Sequence, residues 1–218
     1  MFTISNLTAR IGDKEILKDV SISMEPGSVL LITGHNGSGK STLLHAIMGR
    51  PDIESGGMIF LDNELISDKE CHERARKGVF MFHQSPPTIE GVNTMTLLKE
   101  INNRFDIRLT SRELIDAAKT MFDEIGLPAD WTKRQFNAGA SGGERKKNEL
   151  VQAELFAGKL LLLDEPDSGL EQASRSKIIE LIENNRAAGG YTLLVTHDKD
   201  LQEKFGSNRV EMQNGRIV

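Results

Sequence analysis

"GHNGSGKST", Gly34 to Thr42, is the stretch whose reading decides the fold. It matches G-x-x-x-x-G-K-[ST]. It follows the apolar run "SVLLIT", Ser28 to Thr33, and opens a segment with helical spacing from about Lys40 to Met48. Strand, Gly-rich turn and helix in that order are the context that a phosphate-binding loop requires. Glycines let backbone amides curl around phosphate oxygens with no Cβ in the way, and the helix N-terminus favours an anion. The candidate phosphate-contacting residues are Gly34, His35, Asn36, Gly37, Ser38, Gly39, Lys40, Ser41 and Thr42. Lys40 would bring a fixed positive charge to the β- and γ-phosphates, and the Ser41 hydroxyl can ligate Mg²⁺.

Three further stretches fit a nucleotide site. "LLLLDEPDSGLE", Leu160 to Glu171, places Asp164 and Glu165 at the end of a short apolar strand. Parallel sheets hold their ligands at that end. Asp164 is a candidate Mg²⁺ ligand, and Glu165 a candidate to polarise an attacking water. "VTHD", Val195 to Asp198, puts His197 at another strand end, where it would sense a γ-phosphate. Gln84 in "FHQSPP" ends a strand in the same way, and its amide is a candidate Mg²⁺ ligand. A lone His or Gln carries little weight; the order in which these stretches occur carries more.

Outward from the loop, "FTISNLTARIGDKEILKDVSISMEPG" alternates apolar and polar residues around turn formers at Gly12-Asp13 and Pro26-Gly27. It reads as the edge of an antiparallel sheet. "GGMIFLD" and "GVFMF" read as strands, whereas "LLLL" and "YTLLVT" read as buried parallel strands. From about 93 to 157 helical spacing takes over, in "MTLLKEINNRF" and "SRELIDAAKTMFDEIG", with a stop at Gly126-Leu127-Pro128. This predicts one α/β domain over 1–218. Its core covers about 1–92 and 158–218, and a helical subdomain of about 93–157 is inserted into it. Trp131 and Phe136 are expected to pack that subdomain.

"ASGGERKKNELVQAELF", Ala140 to Phe156, begins with a turn that suits a helix whose N-terminus holds an anion. The run Arg145-Lys146-Lys147 reads by default as a solvated face. With this segment in place, the chain resembles the ATP-binding cassette (ABC) ATPases over essentially its whole length. "SGGE" is similar to that family's L-S-G-G-Q signature. The resemblance implies a P-loop NTPase fold: a mainly parallel RecA-like core, an N-terminal antiparallel β subdomain and an inserted helical subdomain. It also implies an ATPase using ATP and Mg²⁺, with Gln84 in the Q-loop, Asp164 as Walker B ligand, Glu165 as general base and His197 as switch histidine. Ser141, Gly142 and Gly143 would meet the γ-phosphate of ATP held by a second copy, and Glu144, in the first turn of the same helix, suits the helix dipole and would point away from that phosphate. The resemblance thus implies a head-to-tail homodimer that forms on ATP.

Within the family, "SGGERKKNELVQAELF" is similar to the S-G-G-E-K-K-R-N-[DE]-x-L-Q run of the SufC-type ATPases of iron–sulfur cluster assembly. "DEPDSGLE" resembles their D-E-x-D-S-G-L-D, with Glu171 in place of the last Asp. The family's adenine-stacking position falls on Ile11, where the subfamily also lacks an aromatic residue. This implies a SufB/SufD-like scaffold as partner. The alternative is the nucleotide-binding subunit of a membrane transporter.

Composition excludes several other classes. A net charge of −5 argues against broad nucleic-acid or anionic-membrane binding. The longest apolar runs are too short to span a bilayer, so no direct membrane insertion is expected. A single cysteine, Cys71, excludes an internal disulfide framework and fits a cytoplasmic location. Cys71, His35, His45 and His72 show no metal-ligand spacing.

Overall fold

The computed structural model describes the chain except Asp106 and Ala157, and the backbone alone at Ala129. Strands β1 (Phe2–Ile11) and β2 (Lys14–Met24) pair antiparallel across the Gly12-Asp13 turn. Their buried residues run Phe2, Ile4, Leu7, Ala9 and Leu17, Val20, Ile22, Met24. In each series one step is three residues instead of two. The extra residue is absorbed where Asn6 and Asp19 have positive φ, 51° and 59°, and the register shifts there. Without these irregularities Phe2 and Ile4 would face the opposite side from Leu7 and Ala9, and Leu17 the opposite side from Val20, Ile22 and Met24. Asn6 Nδ2 donates to Asp19 Oδ1 at 2.6 Å, which ties the two sites together.

Strand β3 (Ser28–Thr33) leaves for a second sheet and feeds helix α1 (Lys40–Met48). The chain then returns through β4 (Glu54–Leu61) and β5 (Glu64–Leu65) to complete a first sheet of order β2-β1-β4-β5. Helix α1 touches strands of both sheets, and Leu43, Leu44 and Ile47 are fully buried in the common core. Helix α2 (Cys71–Arg76) follows, and its Arg74 guanidinium donates to the Ala46 and Ile47 carbonyls, both at 2.9 Å. Both carbonyls lie in the last turn of α1, where the helix runs out of amides; Ala46 accepts also from Gly49 N at 3.1 Å.

After β6 (Val79–Phe82) come α3 (Thr94–Arg104), α4 (Ser111–Glu124), a 3-10 turn over Ala129–Lys133 and α5 (Gly142–Phe156). Phe82–Ala157 and Pro166–Leu181 form one compact unit; Met1–Met81, Gly158–Glu165 and Ile182–Val218 form the other. In the helical unit Asn93 caps α3 by accepting from Thr96 N at 2.7 Å, and Thr110 with Glu113 makes a capping box on α4. Trp131 and Phe136 are both buried, as their apolar bulk predicted. The default reading of Arg145-Lys146-Lys147 as a solvated face does not hold at Lys146, which is 3% exposed. Helix α5 turns Lys146, Asn148 and Glu149 inward, so its buried side carries polar groups and shows no clean apolar stripe.

On the same unit, Lys177 bridges Glu124 at 2.7 Å and Glu180 at 3.0 Å. Glu154 stands by this cluster, and burial, with help from Glu180 and Glu124, pushes its carboxyl up to about 7. The folded chain therefore holds this proton more tightly than the unfolded chain. The stability from that difference is complete below the ordinary value near 4.5 and is lost as pH rises through about 7. Glu154→Gln should consequently raise the melting temperature at pH 8 by a few degrees, roughly what 1 kcal/mol is worth at this size. Thermal melts at pH 5 should show no gain.

The second sheet is completed by β7 (Leu160–Asp164), α6 (Gln172–Ala187), β8 (Tyr191–Val195), α7 (Lys199–Phe205), β9 (Arg209–Gln213) and β10 (Arg216–Ile217). Its order is β10-β9-β3-β8-β7-β6. Neighbours from β9 through β7 run parallel, and β10 turns back antiparallel on β9. Every residue of β7 and β8 is buried, as their uninterrupted apolar runs require. The expected α/β class holds. The ends of β3, β7 and β8 bring three of the flagged stretches to one edge of adjacent strands. No helix among the described residues is long and apolar enough to cross a membrane.

Candidate functional site

The loop after β3 is shaped by what stands behind it. Gly34 has φ 139°, and a Cβ there would lie 2.3 Å from the Met212 carbonyl oxygen. Gly215 N donates to the Ser38 carbonyl at 2.9 Å, so the β9–β10 turn braces the loop from outside. Gly37, with φ 78°, has nothing within 4 Å of a would-be Cβ; it is open on the exposed side. His35, Asn36 and Gly37 are exposed, Ser38, Gly39 and Lys40 are buried, and Ser41 and Thr42 are half-buried.

Helix α1 starts at Gly39, which offers no side-chain cap, and has no acid in its first turn. The first-turn amides therefore lack a side-chain acceptor at the helix's positive end. Lys40 is 7% exposed, and its ammonium donates to the Gly34 carbonyl at 2.8 Å and the His35 carbonyl at 3.0 Å. Ser38 Oγ is buried without a hydrogen-bond partner among the described residues. Backbone amides, a buried ammonium and an unused hydroxyl form a set of donors with room for an anion on the open side.

Asp164 ends β7 and is 1% exposed. Glu165 follows with φ 49°, a conformation that costs a non-glycine residue about 1 kcal/mol. Its N–H donates to the Val195 carbonyl at 2.8 Å, so pairing with β8 continues through the turn. Glu165 Oε1 then lies 3.7 Å from His197 Nε2. His197 sits on a short, well-tied corner. The Thr196 hydroxyl accepts from Asp198 N at 3.0 Å, the Thr196 carbonyl accepts from Gln202 Nε2 at 2.9 Å, and Asp198 caps α7. The unit that carries the loop thus also carries a buried carboxylate and a carboxylate–imidazole pair.

Gln84 belongs to the helical unit, exposed, two residues beyond the end of β6. The Ser-Gly-Gly turn also lies there. Ser141 N donates to Glu144 Oε2 at 2.8 Å and Glu144 N donates to Ser141 Oγ at 3.3 Å, a reciprocal cap. Accepting the Ser141 amide holds the Glu144 carboxyl below its ordinary value. Gly143 is forced by its neighbours, since a Cβ would stand 2.9 Å from the Gly169 carbonyl oxygen. Gly142 is not: nothing lies within 4 Å and its φ is ordinary. A residue with neither steric nor dihedral need to be glycine, at a helix start, leaves space that a ligand can enter.

Sequence reasoning did not find Met212 and Gly215, which shape the loop from 170 residues away or more. It also missed the pairing of half-exposed His83 with buried Glu149, in which Nδ1 and Oε1 are 2.6 Å apart. Burial pushes the Glu149 carboxyl up, and His83 pulls against that. Ile11, flagged as the adenine position, is 44% exposed. Cys71 is a half-buried free thiol. Among the described residues no group of three or more His, Cys, Asp or Glu could hold a metal ion, which leaves any metal here to mixed donors.

The model of the ABC transporter family matches residues 17–168. The chain belongs to that family. It is an ATP-binding cassette ATPase with the P-loop NTPase fold, the ATP-binding subunit of an ABC-type system. It is 36% identical over 220 residues to a probable ABC transporter ATP-binding protein of Streptococcus pyogenes serotype M3, covering 99% of this chain and 86% of that one. A probable ATP-dependent transporter of Synechocystis is 35% identical over 225 residues, with 100% and 88% covered. Among solved structures, the ATP binding subunit of an ABC transporter superposes with a TM-score of 0.83 at 24% identity, over 100% of this chain and 88% of that one. A nucleotide-free cassette from an ABC transporter gives 0.74 at 26% identity, with 100% and 89% covered.

Proposed function

We propose that this cassette is a SufC-type ATPase, which dimerises head to tail on ATP and drives a shape change in a SufB/SufD-like scaffold during iron–sulfur cluster assembly. The observation that carries the reading is the run Ser141–Phe156, Ser141 followed by helix α5, whose inward-facing Lys146, Asn148 and Glu149 give that segment its polar character. The charge pattern is a property of the fold here, and it is what the SufC resemblance matches. The domain then divides into a nucleotide-binding core of about 1–92 and 158–218 and a signature subdomain of about 93–157. The location is cytoplasmic.

The loop Gly34–Thr42 cradles the phosphates of ATP, and Lys40 exchanges its two loop carbonyls for phosphate oxygens. The hydroxyl of Ser41, the carboxylate of Asp164 and the amide of Gln84 are oxygen donors of the kind Mg²⁺ selects. Gln84 joins this set by its strand-end position in the sequence and by the resemblance. When bound, Mg²⁺ supplies charge compensation for the phosphates. Glu165 orients water and accepts its proton, and His197 contacts the γ-phosphate. The amides of Gly142 and Gly143 and the Ser141 hydroxyl meet ATP held by a second copy, while Glu144 acts through its cap on Ser141.

The second reading, a nucleotide-binding subunit of a membrane transporter, is favoured by the descriptions of the S. pyogenes and Synechocystis relatives. Co-purification of the tagged chain from its native cell, with and without detergent, separates the two. Recovery of a scaffold that holds an iron–sulfur cluster is the expected result. Recovery of a polytopic membrane protein would replace the proposal.

A further inference from the structure

Asn148 and Glu149 are consecutive on α5, and both are buried, at 0% and 4% exposure. Polar groups in that position must find partners. Glu149 takes both nitrogens that His83 offers nearby: Oε2 accepts the backbone N–H at 3.0 Å and Oε1 lies 2.6 Å from Nδ1. Asn148 Nδ2 donates to Asn137 Oδ1 at 2.9 Å, and Asn137 Nδ2 donates to the Pro87 carbonyl at 2.7 Å. Asn137 is itself buried and held at φ 58°. Ile89 N adds a bond to the Phe136 carbonyl at 3.2 Å.

One turn of α5 therefore grips the chain on either side of Gln84, at His83 directly and at Pro87 through Asn137. Gln84, Ser85 and Pro86 are the span between the grips, and Pro86 is buried too. A buried carboxylate is a costly way to hold two segments together when apolar packing serves as well. What it adds is direction: two charge-assisted bonds fix His83, and hence the adjacent residue, in one orientation.

We propose that Glu149, with Asn148 as the second anchor, is a positioning residue for hydrolysis: it makes the Gln84 segment and the signature helix one rigid piece. A displacement of Gln84 is then carried to Gly142 and Gly143 along two turns, about 10 Å, of uninterrupted helix. The inference rests on the roles proposed for Gln84 and the signature turn, and it adds the linkage between them.

The test is steady-state ATPase and ATP binding on the full chain with Mg²⁺ present. Glu149→Ala should lower kcat about tenfold and leave ATP affinity within about twofold, since the phosphate loop lies on the other unit. Glu149→Gln keeps an acceptor for the His83 N–H and should stay within about threefold of wild type. His83→Ala, at a half-exposed ring, cuts the side-chain contact with little risk to folding, and should lower kcat severalfold at unchanged affinity. In a Gln84→Ala background, Glu149→Ala should cost nothing more. Losses that multiply in the double variant would sink the linkage and leave Gln84 its role. Full turnover by Gln84→Ala alone would sink that role and the linkage with it. A lowered melting temperature with normal kcat per folded molecule in Glu149→Ala and His83→Ala would reduce the pair to ordinary packing.

Discussion

Glu165→Gln should bind ATP normally, hold a closed dimer and hydrolyse ATP about 10²–10⁴-fold more slowly, the range over which a positioned general base contributes. The backbone sets the aim of this side chain. Glu165 sits at φ 49° with its N–H on the Val195 carbonyl, and the strained turn leaves the carboxylate 3.7 Å from His197 Nε2. That spacing is wider than a direct hydrogen bond, so the pair can approach the same reactant without being locked to each other. Glutamine has the same shape and keeps the turn, and it loses only the capacity to take a proton. Single-turnover phosphate release measures the rate, and size-exclusion of the ATP-loaded chain measures the dimer. Turnover at the normal rate would remove Glu165 as base. A slow variant that stays monomeric would leave the base in place and count against dimerisation on ATP.

The parts of this site that were legible in the sequence are those in which one short segment contains its own cause. Gly34–Thr42 announces a turn because its glycines, Lys and hydroxyls stand at fixed offsets. The runs "LLLL" and "YTLLVT" announce buried strands because nothing polar interrupts them. What stayed hidden depends on two distant segments at once. Strands β9 and β10 carry a single buried hydrophobic residue, Met212, and so show no apolar run. Yet Met212 and Gly215 crowd the loop and set where it must be glycine. Helix α5 misled in the opposite direction. Its charges suggest solvent, and the structure buries Lys146 and Glu149 because partners for a buried charge come from other segments, among them His83. Gly142 shows a third case, a residue whose identity nothing inside the chain demands. Its reason has to lie outside the chain, which is why the sequence pattern speaks of it more clearly than the structure does.

Lys40→Ala should raise the Kd for ATP at least about 100-fold while leaving the fold intact. The Lys40 ammonium is held at the loop by the Gly34 and His35 carbonyls, at 2.8 and 3.0 Å, with its stem buried. In that arrangement it already faces the interior of the turn that the α1 amides line. Exchanging two neutral acceptors for anionic phosphate oxygens sets opposite full charges against each other in both contacts, and hydrogen bonds to charged groups contribute about 1.5–3 kcal/mol each. Two of them correspond to roughly 10²–10⁴ in affinity. The cost to folding is small by comparison. His35 is exposed and Gly34 half-buried, so water can take up the carbonyls that the ammonium leaves, and the bracing from Gly215 to Ser38 does not involve Lys40. Calorimetric titration with ATP, beside a thermal melt of the same sample, reads both quantities. Unchanged affinity would remove the phosphate-loop assignment. A collapsed melting temperature would show that the ammonium holds the loop together, and that binding is lost through the fold and not through the missing charge.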